Sequence, residues 1–273
     1  MKARVTVLGS GTSHGVPMIG CSCGTCRSDD PRDRRTRPSI YIDVADGPKV
    51  LIDTSTDLRQ QALAHGVMRV DAILFTHSHA DHVMGLDDSR RFSQMQKGVI
   101  PCYADATTVA SLQKQFFYVF DPATDKGGGL PQIELNVVEA PFSVAGLRVE
   151  PLPLMHGRRR IFGFRFGDFA YMTDTNHVPD ETWPLLDGVK TIIVDALRHR
   201  PHPTHFTVAE ALGVVERLKP QQTYFTHICH DLPHAATNQS LPAGVELAYD
   251  GLTFEIEAVG VAEATADAAG GKA

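Results

Sequence analysis

Thr76-His77-Ser78-His79-Ala80-Asp81-His82 puts three imidazoles and a carboxylate within six residues, directly after the apolar run Asp71 to Phe75. Buried without partners these groups would be costly, so a bound cation is the economical explanation. In an extended segment His77 and His79 project to one side, while Asp81 and His82 follow in a turn and can face a second ion nearby. Further single donors sit at the ends of later apolar runs. His156 follows Leu152 to Met155, Asp174 follows Phe169 to Thr173, and His227 follows Thr223 to Thr226. Strand ends along one sheet edge are how a fold gathers distant residues around one site. Solvated loop histidines are the competing reading, and the spacing and strand-end settings weigh against it.

A second cluster is Cys21-Ser22-Cys23-Gly24-Thr25-Cys26. Tetrahedral zinc takes thiolates at such short spacings, and three thiolates need one more ligand. The run Thr226-His227-Ile228-Cys229-His230 offers His230 for that place, with Cys229 as competitor. Reduced cysteines in a metal-free loop are the alternative.

The elements that must carry these residues read as short strands with interspersed helices. Strands are expected at Arg4 to Leu8, Ser39 to Val44, Lys49 to Ile52, Asp71 to Phe75, Ile133 to Val138, Leu147 to Leu154, Phe162 to Phe166, Phe169 to Met172, Thr191 to Val194, Thr223 to Phe225 and Leu252 to Ile256. Helices are expected at Asp57 to His65, Asp105 to Phe120, Glu181 to Leu186 and Thr207 to Leu218, the last with an apolar face of Val208, Leu212, Val215 and Leu218. Helices that do not strictly alternate with strands favour an α+β sandwich over a doubly wound parallel sheet. Asp121 to Pro131 is a turn-rich loop. Residues 1–258 read as one domain, and 259–273, rich in Ala and Gly, as a flexible tail.

Composition excludes several classes. The chain has 273 residues and 42% hydrophobic content, enough for a full core rather than disorder. With 26 basic and 32 acidic residues the net charge is −6, so there is no global electrostatic reason to bind nucleic acid or an anionic membrane. No run approaches the roughly 18 apolar residues a membrane span needs, and the N-terminus lacks an apolar leader core. A cytoplasmic protein is expected. Thirteen histidines stand beside five cysteines. An odd cysteine count with three crowded together argues for thiolates kept reduced, not for a disulfide framework.

The HxHxDH motif followed by His156, Asp174 and His227 resembles the metallo-β-lactamase-fold hydrolases. That resemblance implies a four-layer αββα sandwich over residues 1 to 257 with the site at one edge. It also implies two divalent ions, zinc or manganese: His77, His79 and His156 on one, Asp81, His82 and His227 on the other, and Asp174 bridging. The diiron oxidoreductase branch carries an acidic residue where this chain has His79, and is disfavoured. Asp53, ending another apolar strand, is the position that usually supports such a site by hydrogen bonds.

Together, GCxCxxC and a histidine three residues after His227 resemble the PhnP-type cyclic-phosphate phosphodiesterases of the carbon-phosphorus lyase pathway. This implies a structural zinc on Cys21, Cys23, Cys26 and His230, and a homodimer. His205, in Pro201-His202-Pro203-Thr204-His205-Phe206-Thr207, maps onto a histidine that binds phosphate and protonates the leaving group. A plain helix-start role with Thr207 as N-cap remains open for it, and His199 and His202 are rivals.

The implied reaction is hydrolysis of a small cyclic or linear phosphodiester, resembling a phosphoribosyl cyclic phosphate. It would proceed by in-line displacement with a hydroxide held between two ions, and Asp81 and His205 count as catalytic. Two alternatives stand: a tRNA 3′-processing-type endoribonuclease, which would need a long basic arm this chain lacks, and a non-catalytic metal-binding module. Three smaller features are weighed with these. Gly9 to Ser13 reads as a tight turn beside the site, Arg27 to Arg37 as a solvated loop, and Arg158-Arg159-Arg160 as either a substrate-facing run or a solvated face.

Overall fold

Val5 and Val7, Ile40 and Ile42, and Val50 and Ile52 alternate along three strands and bury one face, while Tyr41 and Leu51 between them pack on the other. Period-two alternation with apolar residues on both faces means a sheet covered on both sides. The computed structural model describes residues 1–260 apart from 126 and 128. Its strands are β1 (Lys2–Gly9), β2 (Ser39–Val44), β3 (Lys49–Ile52), β4 (Ala72–Leu74), β5 (Ile100–Ala104) and β6 (Ile133–Val137). They form a seven-stranded sheet with β14 (Thr253–Glu257), in the order β14-β1-β2-β3-β4-β5-β6.

A second seven-stranded sheet comprises β7 (Phe142–Val144), β8 (Leu147–His156), β9 (Arg159–Phe166), β10 (Phe169–Met172), β11 (Thr191–Asp195), β12 (Gln222–Thr226) and β13 (Val245–Leu247). The inner faces meet in a core that joins Val5, Ile40 and Ile52 to Phe164, Phe166 and Tyr171. Helices cover the outer faces. On the first sheet lie α1 (Leu58–His65), α2 (Ala80–Val83), α3 (Arg90–Gln96), α4 (Ala106–Gln115) and α5 (Phe117–Phe120), with Leu58, Phe92 and Leu112 against Ile73. On the second lies α6 (Val208–Leu218), with Val208, Ala211 and Val214 against Val194. A short α7 (His234–Ser240) precedes β13. The expected four-layer αββα sandwich is thus the observed fold.

The face of α6 differs slightly from the expected one. Val208, Ala211 and Val214 are buried, whereas Leu212, Val215 and Leu218 flank them, partly buried. Thr207 caps this helix as expected: its hydroxyl accepts from Glu210 N at 3.2 Å and its amide donates to Glu210 Oε2 at 2.8 Å.

Within each sheet the strands β3 to β6 and β10 to β13, each run ending at a sheet edge, are parallel. Antiparallel pairs β8–β9 and β9–β10 leave β8 running the same way as β10. The carboxyl ends of β3, β4, β8, β10, β11 and β12 therefore collect on one edge, which is where open mixed sheets present their functional loops.

Strands β5, β7 and β13 and helices α3 and α7 lack strong local patterns and are not among the expected elements. At the C-terminus, Val259 O accepts from Arg148 N at 2.9 Å and Gly260 bridges to Leu147, so the segment expected as a tail begins by pairing with β8. Residues 261–273 of that segment lie outside the described residues.

Arg27 to Arg37 is solvated only in part: Arg27, Asp29, Arg32 and Arg34 are exposed, but Asp33 and Arg35 are not. Arg35 is 2% exposed and Asp33 4%. Arg35 Nη2 donates to Asp33 Oδ1 at 2.9 Å and to Leu232 O at 2.7 Å, and Nη1 donates to Cys229 O at 3.0 Å. The alternating charges hid a residue that ties this segment to the loop after β12. Ser10 and Thr36 are tied alike: both backbone amides and both hydroxyls donate to the Asp250 carboxylate. Gly9 to Ser13 is not itself the expected tight turn: Gly9 ends β1, Gly11 bridges to Ile228 and the turn falls at Ser13 and His14, while the Ser10, Gly11 and Thr12 amides are spent within the protein.

Two stability measurements follow. Arg35→Met leaves the buried Asp33 carboxylate without its cation, so denaturant unfolding should show a loss of about 3 kcal/mol or more. Near it, the buried His234 imidazole has its pKa pushed down to about 4 by burial and by Arg32 and Arg35. The unfolded chain takes up that proton near 6.5, so it binds more protons than the native state between those values. Stability present above pH 6.5 should decline by on the order of 2 kcal/mol as pH falls toward 4. Across that window His234→Gln should show a flatter dependence than the wild type in parallel denaturant titrations.

Candidate metal centre

Six strand ends supply the site. Asp53 follows β3, Thr76 and His77 follow β4, His156 closes β8, Asp174 follows β10, Asp195 closes β11 and His227 follows β12. Asp53, Asp174 and His227 have φ of 62°, 56° and 58°, a left-handed backbone rare for residues with a side chain. At each strand end this conformation breaks the pleat, and it is the kind of local strain that surrounding structure must hold in place.

The structure brings the sequence-predicted donors into two adjoining groups. His77, His79 and His156 form one, and Asp81, His82, Asp174 and His227 form the other. His82 Nε2 lies 3.2 Å from Asp174 Oδ1 and 3.4 Å from Asp81 Oδ2. His227 Nε2 lies 3.1 Å from Asp174 Oδ2 and 3.6 Å from Asp81 Oδ2, and His77 Nε2 is 4.0 Å from Asp174 Oδ2. Asp174 thus sits between the groups. Two ligands each about 2.0 to 2.2 Å from one ion are separated by roughly 3.3 Å, so these are the spacings of a ligand shell.

The Nε2 atoms of His77, His82 and His227 are buried with no hydrogen-bond partner, which is the direct test of fit. In His77, His82 and His156 a hydrogen bond at Nδ1 orients the ring and leaves Nε2 to ligate, whereas both ring nitrogens of His227 are without a hydrogen bond. His82 Nδ1 donates to Asp53 Oδ2 at 2.7 Å, His77 Nδ1 donates to Thr76 Oγ1 at 3.0 Å, and His156 Nδ1 donates to Thr204 O at 2.8 Å. Asp53 also accepts from the amide and hydroxyl of Thr76, both at 2.8 Å. One buried carboxylate thereby fixes the ring of His82 and the start of the motif, as carboxylate–histidine–metal arrangements do.

Electrostatics agree. Burial opposes charge on His227, yet the facing Asp174 outweighs it and lifts its pKa to about 10; His82 is raised well above its ordinary value by the same carboxylates. Asp174, despite its burial, is held well below the carboxylate range by His227 and His82. The carboxylates demand positive charge at this spot, and divalent ions on the same seven donors would supply it.

The cysteine cluster closes similarly. His230 Nδ1 is 3.1 Å from Cys21 Sγ, 3.5 Å from Cys23 Sγ and 3.6 Å from Cys26 Sγ. A tetrahedral zinc with Zn–S near 2.3 Å and Zn–N near 2.0 Å separates nitrogen from sulfur by about 3.5 Å, so the four donors fit one ion. Cys229 does not join them. Its Sγ accepts from Asp231 N at 3.3 Å.

His205 is buried beside the first two groups, its ring stacked on His227 with centroids 4.5 Å apart. Its Nδ1 donates to Asp195 Oδ2 at 2.7 Å. Burial and the neighbouring His227 push its pKa down to about 3, and burial pushes Asp195 well above the carboxylate range. Sequence reasoning missed Asp195, although it ends the apolar run Thr191 to Val194 as the other site residues end theirs. Of the rivals, His202 stands near His205 at a centroid distance of 5.0 Å, while His199 is exposed. A cleft of about 250 Å³ lined by Ser13, His14, Arg198, His202, His205 and His230 runs between this dyad and the cysteine cluster.

Known proteins share these features. A family model described as a β-lactamase superfamily domain matches residues 49–228. The crystal structure of a diphosphatase from the PhnP family is 46% identical with a TM-score of 0.88, over 94% of this chain and 98% of that one. A protein named octanoyltransferase from Porphyromonas gingivalis is 38% identical over 262 residues, 94% of this chain. The match takes in 52% of that protein, so the chain spans about half its length. The short form of human tRNase Z has the same fold at 17% identity and a TM-score of 0.65, over 92% of this chain and 98% of that one.

Elemental analysis tests the donor groups independently of activity. Purified protein should carry an ion for each of the two site groups and one for the cysteine cluster. Cys23→Ser should lose zinc alone, and His227→Ala should lose an ion while the zinc stays.

Proposed function

The chain belongs to the β-lactamase superfamily, and from that premise we propose that it is a dinuclear metal-dependent phosphodiesterase acting on a small cyclic or linear phosphodiester. The observation that carries this reading is the Asp195–His205 pair set against the edge of the two donor groups. His77, His79 and His156 would hold one ion, Asp81, His82 and His227 the other, with Asp174 shared. Cys21, Cys23, Cys26 and His230 would hold the structural zinc. Bound divalent ions at this site would neutralise phosphoryl oxygens and activate water for in-line displacement.

The chain's own residues supply the rest. His205 has Nδ1 committed to Asp195, so Nε2 is the atom turned to the departing oxygen; burial and His227 hold the free imidazole neutral, and the anionic phosphoryl group of a bound substrate is what favours the imidazolium whose Nε2 proton goes to that oxygen. Asp195 stabilises the imidazolium that carries this proton and fixes the ring's orientation. Asp53 and Thr204 O hold His82 and His156 in place, so the donors need not reorganise when substrate arrives.

A second reading has its own support. The name of the 46% identical PhnP-family relative, a diphosphatase, favours a phosphoanhydride as the bond broken, with phosphate in place of an alkoxide as the leaving group. A tRNA-processing role is disfavoured. The fold likeness to tRNase Z rests on 17% identity, the net charge is −6, and Asp121 to Pro131 carries one Lys and two Asp in place of a basic arm.

Metal-loaded enzyme should hydrolyse bis(p-nitrophenyl) phosphate and 2′,3′-cyclic nucleotides in a spectrophotometric and chromatographic panel that also holds a diphosphate, a thioester and a lactone. Turnover of only the thioester or lactone would overturn the proposal, and turnover of only the diphosphate would select the second reading. His205→Asn should lower kcat by roughly 10² to 10⁴ on the cyclic nucleotide, whose alkoxide needs a proton. The loss should be much smaller on the nitrophenyl ester, whose phenolate leaves unaided.

A further inference from the structure

Gly157 and Arg158 form the two-residue turn of the β8–β9 hairpin, and the pair that closes it is His156 opposite Arg159. Opposed residues of antiparallel strands project to the same face with Cβ atoms about 5 Å apart. Arg159 therefore leaves the sheet alongside His156. This end of the hairpin is fixed on both sides. Toward His205, Gly157 N donates to Asn176 Oδ1 at 2.7 Å, and Asn176 Nδ2 donates to Pro203 O at 3.2 Å. Toward the HxHxDH motif, Phe162 N donates to Thr76 O at 3.0 Å, and Arg159 Nη2 donates to the hydroxyl of Ser78 at 3.0 Å. Ser78 lies between His77 and His79, so the Arg159 guanidinium stands at the rim of the first donor group.

The three consecutive arginines are not equivalent. Arg158 is exposed on the turn. Arg160 points to the opposite face and pairs with Glu181 at 3.8 Å, with both side chains well exposed. Arg159 is half-buried, and among the described residues it forms no ion pair; its hydrogen bond is to the neutral Ser78. A guanidinium has five donors in a planar fork suited to phosphate, and here only one is spent. Bringing such a cation partly out of water without a counter-charge is unfavourable unless an anion completes it.

We propose that Arg159 is a substrate-binding residue whose guanidinium takes a non-bridging oxygen of the phosphoryl group at the His77, His79 and His156 end of the site. The assignment rests on the phosphoester reading above. It divides the work along the edge: Arg159 grips the phosphoryl group on one side of His156, and His205 serves the leaving oxygen on the other. The competing role is structural, with Arg159 acting through Ser78 to position the motif.

Metal-loaded wild type, Arg159→Ala, Arg159→Lys and Ser78→Ala are compared by calorimetric titration with inorganic phosphate, by KM and kcat on bis(p-nitrophenyl) phosphate, and by metal content. Arg159→Ala should bind phosphate at least roughly tenfold more weakly with metal content unchanged, and Arg159→Lys should recover part of the loss. Ser78→Ala should bind phosphate as the wild type does. Wild-type phosphate affinity in Arg159→Ala overturns the assignment, and so does Ser78→Ala reproducing the loss or Arg159→Ala losing metal. A wild type that hydrolyses no phosphoester defeats the proposed function instead, while the phosphate titrations still decide whether Arg159 binds the anion.

Discussion

Everything at the active edge follows from lone pairs and carboxylates converging on one buried space. Nε2 of His77, His82 and His227 are buried without hydrogen bonds and face Asp174, two of them also facing Asp81, at ligand-shell distances. Protons can stand in for ions here, as the upward shifts of His82 and His227 indicate, but a proton on each imidazole satisfies one carboxylate contact at a time. A divalent ion satisfies several at once, with no hydrogen-bond alignment required. That difference explains why the geometry is good for coordination and poor for hydrogen bonding at the same atoms.

Such an arrangement gathers buried polar groups that do not hydrogen-bond to one another, so the rest of the fold must hold it. Left-handed backbone at Asp53, Asp174 and His227 costs on the order of 1 to 3 kcal/mol each, and is tolerated because each follows a strand locked in the sheets. Asp53 then fastens His82 and Thr76, coupling the end of β3 to the motif after β4. The loop after β12 carries both His227 and His230, and Arg35 pins its Cys229 and Leu232 carbonyls. Through that loop the cysteine cluster and the buried Arg35–Asp33 pair brace the backbone of a residue in the other donor group, so the two halves of the candidate site are mechanically one.

Much of this was legible in the sequence because the chemistry and the pleat speak the same local language. The HxHxDH run and the donors ending β8, β10 and β12 could be read from apolar runs that stop at a polar residue, and β2, β3 and β10 match their expected bounds residue for residue. What escaped did so for physical reasons. Strand β13 is a three-residue element whose partner β12 supplies its pairing, so local pattern says little about it. Arg35 was hidden by its neighbours: charge counting cannot distinguish a solvated arginine from one whose counter-ion, Asp33, is buried with it. Asp195 was missed by one residue, because the strand was taken to stop at the last apolar position.

The three arginines after His156 show where sequence reading must hand over to geometry. By composition they are one basic run, and either reading of it, substrate-facing or solvated, treats them alike. A two-residue turn separates them by strand alternation alone: the turn residue goes to solvent, the next joins the face of His156, and the third goes to the opposite face toward Glu181. Only the middle one is then placed between the motif and the His205 loop without a carboxylate of its own. The hairpin that ends in His156 thus sets the spacing between a cation on one flank and the Asp195–His205 pair on the other, and a substrate must fit that spacing to use both. Because the hairpin is anchored to Thr76 by a backbone hydrogen bond and to Thr204 through the His156 ring, the positions from which the two flanks project are built into the fold.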